Sequence, residues 1–532
     1  MLMASLIIVP IIFGIILYKL PLKLGKILFL VVQVLFNSLA VFLFLETERT
    51  PYMYEILGGD SYILNTAIRG DRLSLLLVVV TVFLFTVASL YKIRDRFYDG
   101  KLMLLFLILQ GLTVGLFLTD DLFNLFILFE VSTVVTTLLV MFKKKGRVVY
   151  DALYYLVTQM VSMMFFLFGI AYLYRIFGVL SIEHIANAIP YSEVTDLILP
   201  FSFMMAGLCF KLGMFPMFGW VSRAYGLNSA PISQLAIMSS MLMKTSLYWF
   251  LRISVMFGEV LDYSRFWIML GILSAVIGAV KAVSQKDIRL MLAYSTVSQI
   301  GLIVFGIFIG DEVSYLGSMY HIVSHAIFKM ILFLSAGLII RQYRTANIYE
   351  IRGVFKKLPL VSFATIVAIL SIVGFPLTSA SVSKYFIAYG IDSFIFELVF
   401  WMMSFGTMLV FVKYSQMFFG NDDAPVRRIG FLKNFSVLVL TIVCLVSGIL
   451  MQNSVNFLLW SDLSISFNSF VVKSLVWIGM AGVAVLLYIK VLHKRTKFLY
   501  DNWEHSLSFS NMILVFVVFF MMLVGYGLMV IL

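Results

Sequence analysis

Seven ionisable side chains stand in stretches where apolar neighbours make charge expensive. Glu130 lies in DLFNLFILFEVSTVV, Lys211 in FKLGMFPMFGW, Lys244 in SMLMKTSLYW, Lys384 in SASVSKYFI, and His321, His325 and Lys329 in YHIVSHAIFK. His321, His325 and Lys329 recur at i, i+4 and i+8, which puts them on one helical stripe about 12 Å long. Histidine titrates near neutrality, and desolvation lowers the proton affinity of a lysine, so such a stripe can pass protons without stranding a full charge. Two other readings stand beside it: two histidines at i, i+4 also suit zinc, and both can be core residues with satisfied nitrogens. HIVSH lacks the glutamate that a zinc-protease helix carries after its first histidine, so no metal site is assigned.

These residues must be held by something, and composition says what. With 62% hydrophobic residues, 12% charged residues and a mean hydropathy of +1.04, the chain lies far outside soluble usage. It reads as an all-α polytopic membrane protein. A bilayer core needs about 20 apolar residues per helix, and by that measure about sixteen spans follow one another. They start near residues 4, 26, 73, 101, 122, 150, 197, 230, 264, 289, 314, 360, 394, 433, 470 and 510. Alternate connections are basic, from Lys19, Lys23 and Lys26 through Lys143, Lys144 and Lys145 to Lys494, Arg495 and Lys497, whereas those between are acidic, such as Asp120 and Asp121. By the positive-inside rule the count is even and both termini face outward in the cell membrane.

The same loops account for the net charge of +12 as attraction to anionic lipid and partners, not to nucleic acid. Cys209 and Cys444 fall in separate apolar spans and read as small core residues. The start MLMASLIIVP has no basic n-region, so it is read as a retained first helix. Residues 46 to 72 form the longest polar connection, expected as an extracytoplasmic cap with turns at Gly58 and Gly59. The segment KVLHKRTKFLYDNWEHSLSFS is expected as a solvated loop, with rest on the membrane surface or on a partner as the alternative. Dinucleotide, phosphate-loop and iron–sulfur motifs are absent, so no cofactor is assigned to this chain.

Charge at mid-membrane costs roughly 3 kcal/mol on insertion scales, and two of the charges accompany helix breakers. Pro216 follows Lys211, and Gly374 and Pro376 precede Lys384. Proline cannot donate its N–H and clashes with the turn before it, so Pro216 is expected to open its helix. Both breaks fall in the fourth span of a run of five. Five is odd, so the two runs insert in opposite senses, as an inverted repeat with sites near the midplane does; a packing kink with no transport role is the alternative. Lys244 and Lys413 fall in the fifth spans.

The stretches QKDIRLMLAYSTVSQIG (285–301), HIVSHAIFKMILFLSAG (321–337) and DLFNLFILFE (121–130) resemble the antiporter-like subunits shared by respiratory complex I, Mrp-type sodium/proton antiporters and energy-converting membrane-bound hydrogenases. The resemblance runs from about residue 55 to 420 and leans, through YEILGGD and Asp71-Arg72-Leu73-Ser74, to the Mrp and hydrogenase branch. It implies a fourteen-helix core with two inverted five-helix repeats, divided as 1–100 (three helices and the cap), 101–258 (first repeat), 259–420 (second repeat) and 421–532 (C-terminal helices). It further implies that Glu130 pairs with Lys211 in a first half-channel and that Lys244 leads to a central relay of His321, His325 and Lys329. Lys384 then ends the second half-channel.

The expected function is a proton or sodium/proton translocating, non-redox subunit of a multisubunit energy-converting complex. Its expected partners are other membrane subunits and peripheral redox subunits with iron–sulfur clusters. A stand-alone carrier of organic solutes and a structural membrane scaffold are the alternatives. The chain departs from the family where Phe218 and Tyr225 replace histidines after Pro216, and where Ser379-Ala380-Ser381 leads into Ser383-Lys384.

Overall fold

In the computed structural model, residues 1–57, 66–95, 98–142, 146–225, 232–421, 425–493 and 508–531 are described. The turns expected at Gly58 and Gly59 and most of the segment 490–510 lie outside them. Fourteen helices among the described residues are long and apolar enough to cross a membrane. The spans expected near 230 and 360 are the two that are absent from that group, because each is interrupted: one by a π-turn at Met238–Leu242, the other by the break after Val373. The chain is a polytopic helical membrane protein, as its composition requires.

The chain divides into two units. The first comprises residues 1–234, 241–263 and 507–532. It holds α1 (Leu2–Lys19), α2 (Leu22–Glu46), α3 (Arg72–Lys92), α4 (Gly100–Leu118), α5 (Leu122–Val140), α6 (Gly146–Phe177), α7 (Ile182–Ala188), α8 (Val194–Leu212), α9 (Gly219–Tyr225), the start of α10 (Ile232–Ile237) and α11 (Met243–Phe257). Aspartates start several of these helices: Asp71, Asp99 and Asp121 accept the N–H groups of Ser74, Leu102 and Asn124, and Asp71 with Ser74 completes a capping box. Each supplies an acceptor to an otherwise orphaned donor and a negative charge to the positive helix end.

The polar connection after α2 is not all turn. Met53–Leu57 (β1) and Thr66–Gly70 (β2) pair antiparallel, a short β element in a fold otherwise read as all-α. Glu55 of β1 accepts the backbone N–H groups of Met3 and Ala4, which caps α1. The Tyr54 hydroxyl donates to Asp120, ahead of α5, and burial pushes the Asp120 carboxyl above its ordinary range.

The second unit comprises residues 235–240 and 264–506. It contains α12 (Ser264–Ser284), α13 (Ile288–Phe308), α14 (Glu312–Tyr343), α15 (Val354–Lys357), α16 (Pro359–Val373), α17 (Ser379–Tyr389), α18 (Phe394–Ser415), α19 (Phe431–Ile449), α20 (Gln452–Leu459) and α21 (Phe467–Leu487). The 32-residue α14 is its buried axis; the most apolar 18-residue window of α14 is wholly buried. The last helix, α22 (Phe509–Ile531), belongs to the first unit. There Phe516 packs on Phe165 and Phe210, and Tyr263 donates its hydroxyl to the Leu523 carbonyl.

Helices α12 and α13 approach through small residues. A Cβ added at Gly301 would stand 2.5 Å from the Ala275 nitrogen, 2.5 Å from the Gly271 oxygen and 2.9 Å from the Ser274 Cβ, so backbone must yield. We expect Gly301→Val to cost about 2 kcal/mol through overpacking and to lower the thermal midpoint in detergent by several degrees. Gly479→Val on α21, where no atom lies within 4 Å, leaves the midpoint in place.

Candidate ion-translocation site

The two breaks are made by glycine. Helix α8 ends at Leu212 because Gly213 takes a left-handed φ of 64°, and the N–H of Met214 reaches back to the Cys209 carbonyl. Helix α16 ends at Val373 by the same device: Gly374 has φ 95°, and the N–H of Phe375 bonds the Leu370 carbonyl. Both are Schellman closures, in which a glycine without a Cβ penalty ends the helix. Pro216 and Pro376 follow two or three residues later and prevent its resumption. The opening assigned to Pro216 therefore begins at Gly213.

Each break presents the negative end of a half-helix to a lysine, an arrangement favourable to a cation. Lys211 lies in the last turn of α8, 9% exposed. Its Nζ donates to the Thr133 hydroxyl at 2.8 Å and lies 5.1 Å from the Phe129 ring centroid. The Thr133 hydroxyl proton is already given to the Phe129 carbonyl at 2.8 Å, so the side that Lys211 meets is an acceptor.

Glu130, on α5 with Thr133, is an electrostatic neighbour of Lys211 without forming an ion pair with it among the described residues. Its Oε1 is buried with no hydrogen-bond partner. The expected pairing acts across a gap, with Thr133 in direct contact. Lys244 is fully buried on α11.

In the second unit the α14 stripe forms as expected. His321, His325 and Lys329 are all fully buried, with the two imidazole centroids 6.4 Å apart. His321 Nε2 faces Gln299 Oε1 at 3.0 Å, and Gln299 donates its amide to Thr407 at 3.0 Å. On the other side, His321 Nδ1 faces the Ser383 hydroxyl at 2.7 Å, which also lies 3.0 Å from the Ala380 carbonyl.

This network fits two protonation states. When His321 is neutral, with its proton on Nε2 towards Gln299, Ser383 donates to Nδ1. When Nδ1 is protonated, it donates to Ser383, whose own proton turns to the Ala380 carbonyl. Lys329 repeats the pattern of Lys211: its Nζ donates to the Leu292 carbonyl at 2.9 Å and to the Ser295 hydroxyl at 2.6 Å, and Ser295 in turn donates to Leu292.

Lys384 stands beyond the second break, on α17, and is fully buried. Its Nζ reaches back to the carbonyls of Ile372 (2.7 Å) and Val373 (3.3 Å), the last of α16. Lys413 is also buried and donates to the carbonyls of Val283 and Gln285, both at 2.7 Å. It closes the C-terminal end of α12.

Thr133, Gln299, Ser295, Ser383 and Thr407 are the groups that reading the charges alone passes over. Thr133 lies three residues after Glu130 and Ser383 one before Lys384, which is the only local signal they give.

Each unit of this polytopic helical scaffold thus holds buried ionisable side chains beside a broken helix. Residues 119–412, more than half the chain, match the family model described as NADH:quinone oxidoreductase/Mrp antiporter, TM, and the chain belongs to that family. It is 32% identical over 324 residues to NADH-quinone oxidoreductase subunit N of Desulforudis audaxviator (strain MP104C), a match covering 59% of this chain and 64% of that relative. The match thus spans just under two thirds of that relative's length. Against a component of the Na(+)/H(+) antiporter of Bacillus subtilis (strain 168) it is 27% identical over 346 residues, covering 63% of this chain and 69% of the relative. Among solved structures, the membrane-bound sulfane sulfur reductase, an archaeal respiratory membrane complex, contains a chain that superposes with a TM-score of 0.80. The identity is 22%, and the match covers 91% of this chain and 99% of that one. At that identity the likeness shows a shared fold.

A hydrogen bond to a charged group contributes about 1.5–3 kcal/mol. We expect Thr133→Val, which keeps the shape and removes the acceptor for Lys211, to lower ion uptake by assembled vesicles about tenfold or more, with Thr133→Ser restoring most of it.

Proposed function

We propose that this chain is an ion-translocating subunit of a multisubunit energy-converting membrane complex, moving protons, or protons against sodium, through buried lysines and histidines. It works beside other membrane subunits and peripheral redox subunits that carry iron–sulfur clusters. The observation that carries this reading is the chain Thr407–Gln299–His321–Ser383, a buried network with a place for the proton in either state of the imidazole. A scaffold has no use for such a network, and a carrier of organic solutes needs a cavity lined to recognise its cargo.

In the first unit, the negative charge of Glu130 favours the protonated form of Lys211. Displacement of that charge, or arrival of another cation, releases the proton towards Lys244. In the second unit the proton moves among Lys329, His325 and His321, and Ser383 lies between His321 and Lys384 along α17. A potential of 100 mV contributes about 2.3 kcal/mol per charge, which is comparable with the effect of one neighbouring charge on a buried lysine. Neighbour charge can therefore gate the transfer.

Both termini are assigned to the outer side of the cell membrane, from the alternation of loop charge. Single cysteines placed at Tyr191, 92% exposed, and near Lys357 are expected to react with an impermeant maleimide from outside and from inside respectively, while native Cys209 and Cys444, both buried, stay silent. Labelling of both from the same side would overturn the orientation.

The deciding experiment is purification of the intact complex in mild detergent with identification of its subunits, followed by ion uptake in vesicles for wild type and Lys211→Ala. Uptake falling to background in a fully assembled mutant is the expected outcome. Normal uptake in that mutant, or a chain that purifies alone and carries ions unaided, would sink the reading. Iron–sulfur subunits in the complex support the redox-driven form, and their absence the antiporter.

A further inference from the structure

Lys384 is held differently from Lys211. It forms no ion pair among the described residues, its two hydrogen bonds go to the carbonyls at the end of α16, and its Nζ lies 5.1 Å from the centroid of the Trp477 ring. Trp477 comes from α21, outside both five-helix runs. A Cβ built at Gly374 would stand 3.0 Å from Lys384 Cδ and 3.6 Å from Trp477 Cζ2, so the break glycine, the lysine stem and the indole form one packed layer. Trp477 is itself fixed: it is 6% exposed, with Trp401 at 5.0 Å and Phe400 at 6.3 Å between ring centroids, both edge-on.

The other ionisable groups around this site leave the role of counter-charge open. On α19, Cys444 meets Ser379. One turn before Trp477 on α21, Lys473 bonds the Ala388 carbonyl and pairs with Glu397 of α18, so that carboxylate is already neutralised. His321 of α14 reaches α17 at Ser383, and Tyr385 lies next to Lys384 on α17 itself. The negative face of an indole attracts an ammonium, most strongly where water is excluded.

We propose that Trp477 is a positioning residue for translocation: its π face acts as the counter-charge of Lys384, favouring the protonated lysine at the end of the relay. The inference rests on the relay reading above. It makes α21 part of the ion path. Because the indole carries no net charge, it leaves no stranded anion when the proton departs.

The test is the pH profile of ion uptake by vesicles holding the assembled complex, with Trp477→Leu, Trp477→Phe, Trp401→Phe and Lys384→Ala. The indole favours the ammonium, so removing it makes the proton leave at lower pH. The alkaline fall-off in uptake is expected to move down by about one pH unit for Trp477→Leu, a tenfold change in protonation. A smaller shift in the same direction is expected for Trp477→Phe, whose ring has a weaker face, and none for Trp401→Phe, which removes packing against Trp477 and the indole N–H bond to Glu397 but leaves the Trp477 ring in place. Should the leucine variant fail to assemble, the phenylalanine variant decides. An unmoved profile for Trp477→Phe in the assembled complex, or an equal shift for Trp401→Phe, overturns the proposal. Uptake persisting in Lys384→Ala overturns the relay reading instead. Uptake lost there with the Trp477 profiles unmoved overturns only the role of the indole.

Discussion

Holding an ammonium inside an apolar helix bundle is the constraint that orders this protein. A buried carboxylate partner is the obvious remedy, yet it stabilises the charge so well that the proton is hard to release, and it leaves an orphan anion when release occurs. Among the buried lysines with described partners, the acceptors are instead neutral: hydroxyls at Lys211 and Lys329, an amide oxygen at Lys92, a carbonyl within α13 at Lys329, and helix-end carbonyls at Lys384 and Lys413. The hydroxyls are set up by an ordinary habit of membrane helices. A serine or threonine gives its proton to a carbonyl three or four residues back, and what then projects towards the lysine is a lone pair. Thr133 and Ser295 both work this way.

The helix breaks supply the rest. A helix that stops inside the bundle leaves unpaired carbonyls, a cost that rules out such ends in contact with lipid. Here the cost is offset at the second break by Lys384 itself, and at the first by the Trp220 indole N–H, which donates to the Phe210 carbonyl. Lys211 sits in the final turn before one break, and Lys384 reaches back to the carbonyls before the other. At the second break, charge and break solve each other's problem.

Much of this was legible in the residues. A charge in an apolar run is conspicuous, so Glu130, the lysines and the histidines stand out individually, and periodicity puts three of them on one face of α14. The partners were hidden for a physical reason. Hydroxyls in apolar helices are common and mostly satisfied by their own backbone, as Thr81, Ser89 and Thr113 are, so only its place three residues after Glu130 distinguishes Thr133 from them. The proline was visible but the break belongs to the glycine before it, because the left-handed turn that ends a helix is set by φ and not by the missing donor. The strands beside Glu55 escaped notice because five residues are too few for an alternating pattern to stand out in a polar connection.

The two units apply one device with different partners. In the first, a carboxylate lies near Lys211 yet makes no direct bond, so a modest movement or a competing cation changes the field that the ammonium meets. In the second, no described charge lies against Lys384, and its surroundings are carbonyl ends and an indole face. A lysine beside an ionisable neighbour responds to events around it; a lysine among fixed dipoles keeps one affinity. On the proposed function, the first is suited to be the point at which translocation is switched, and the second to be the fixed threshold that the proton must cross to leave.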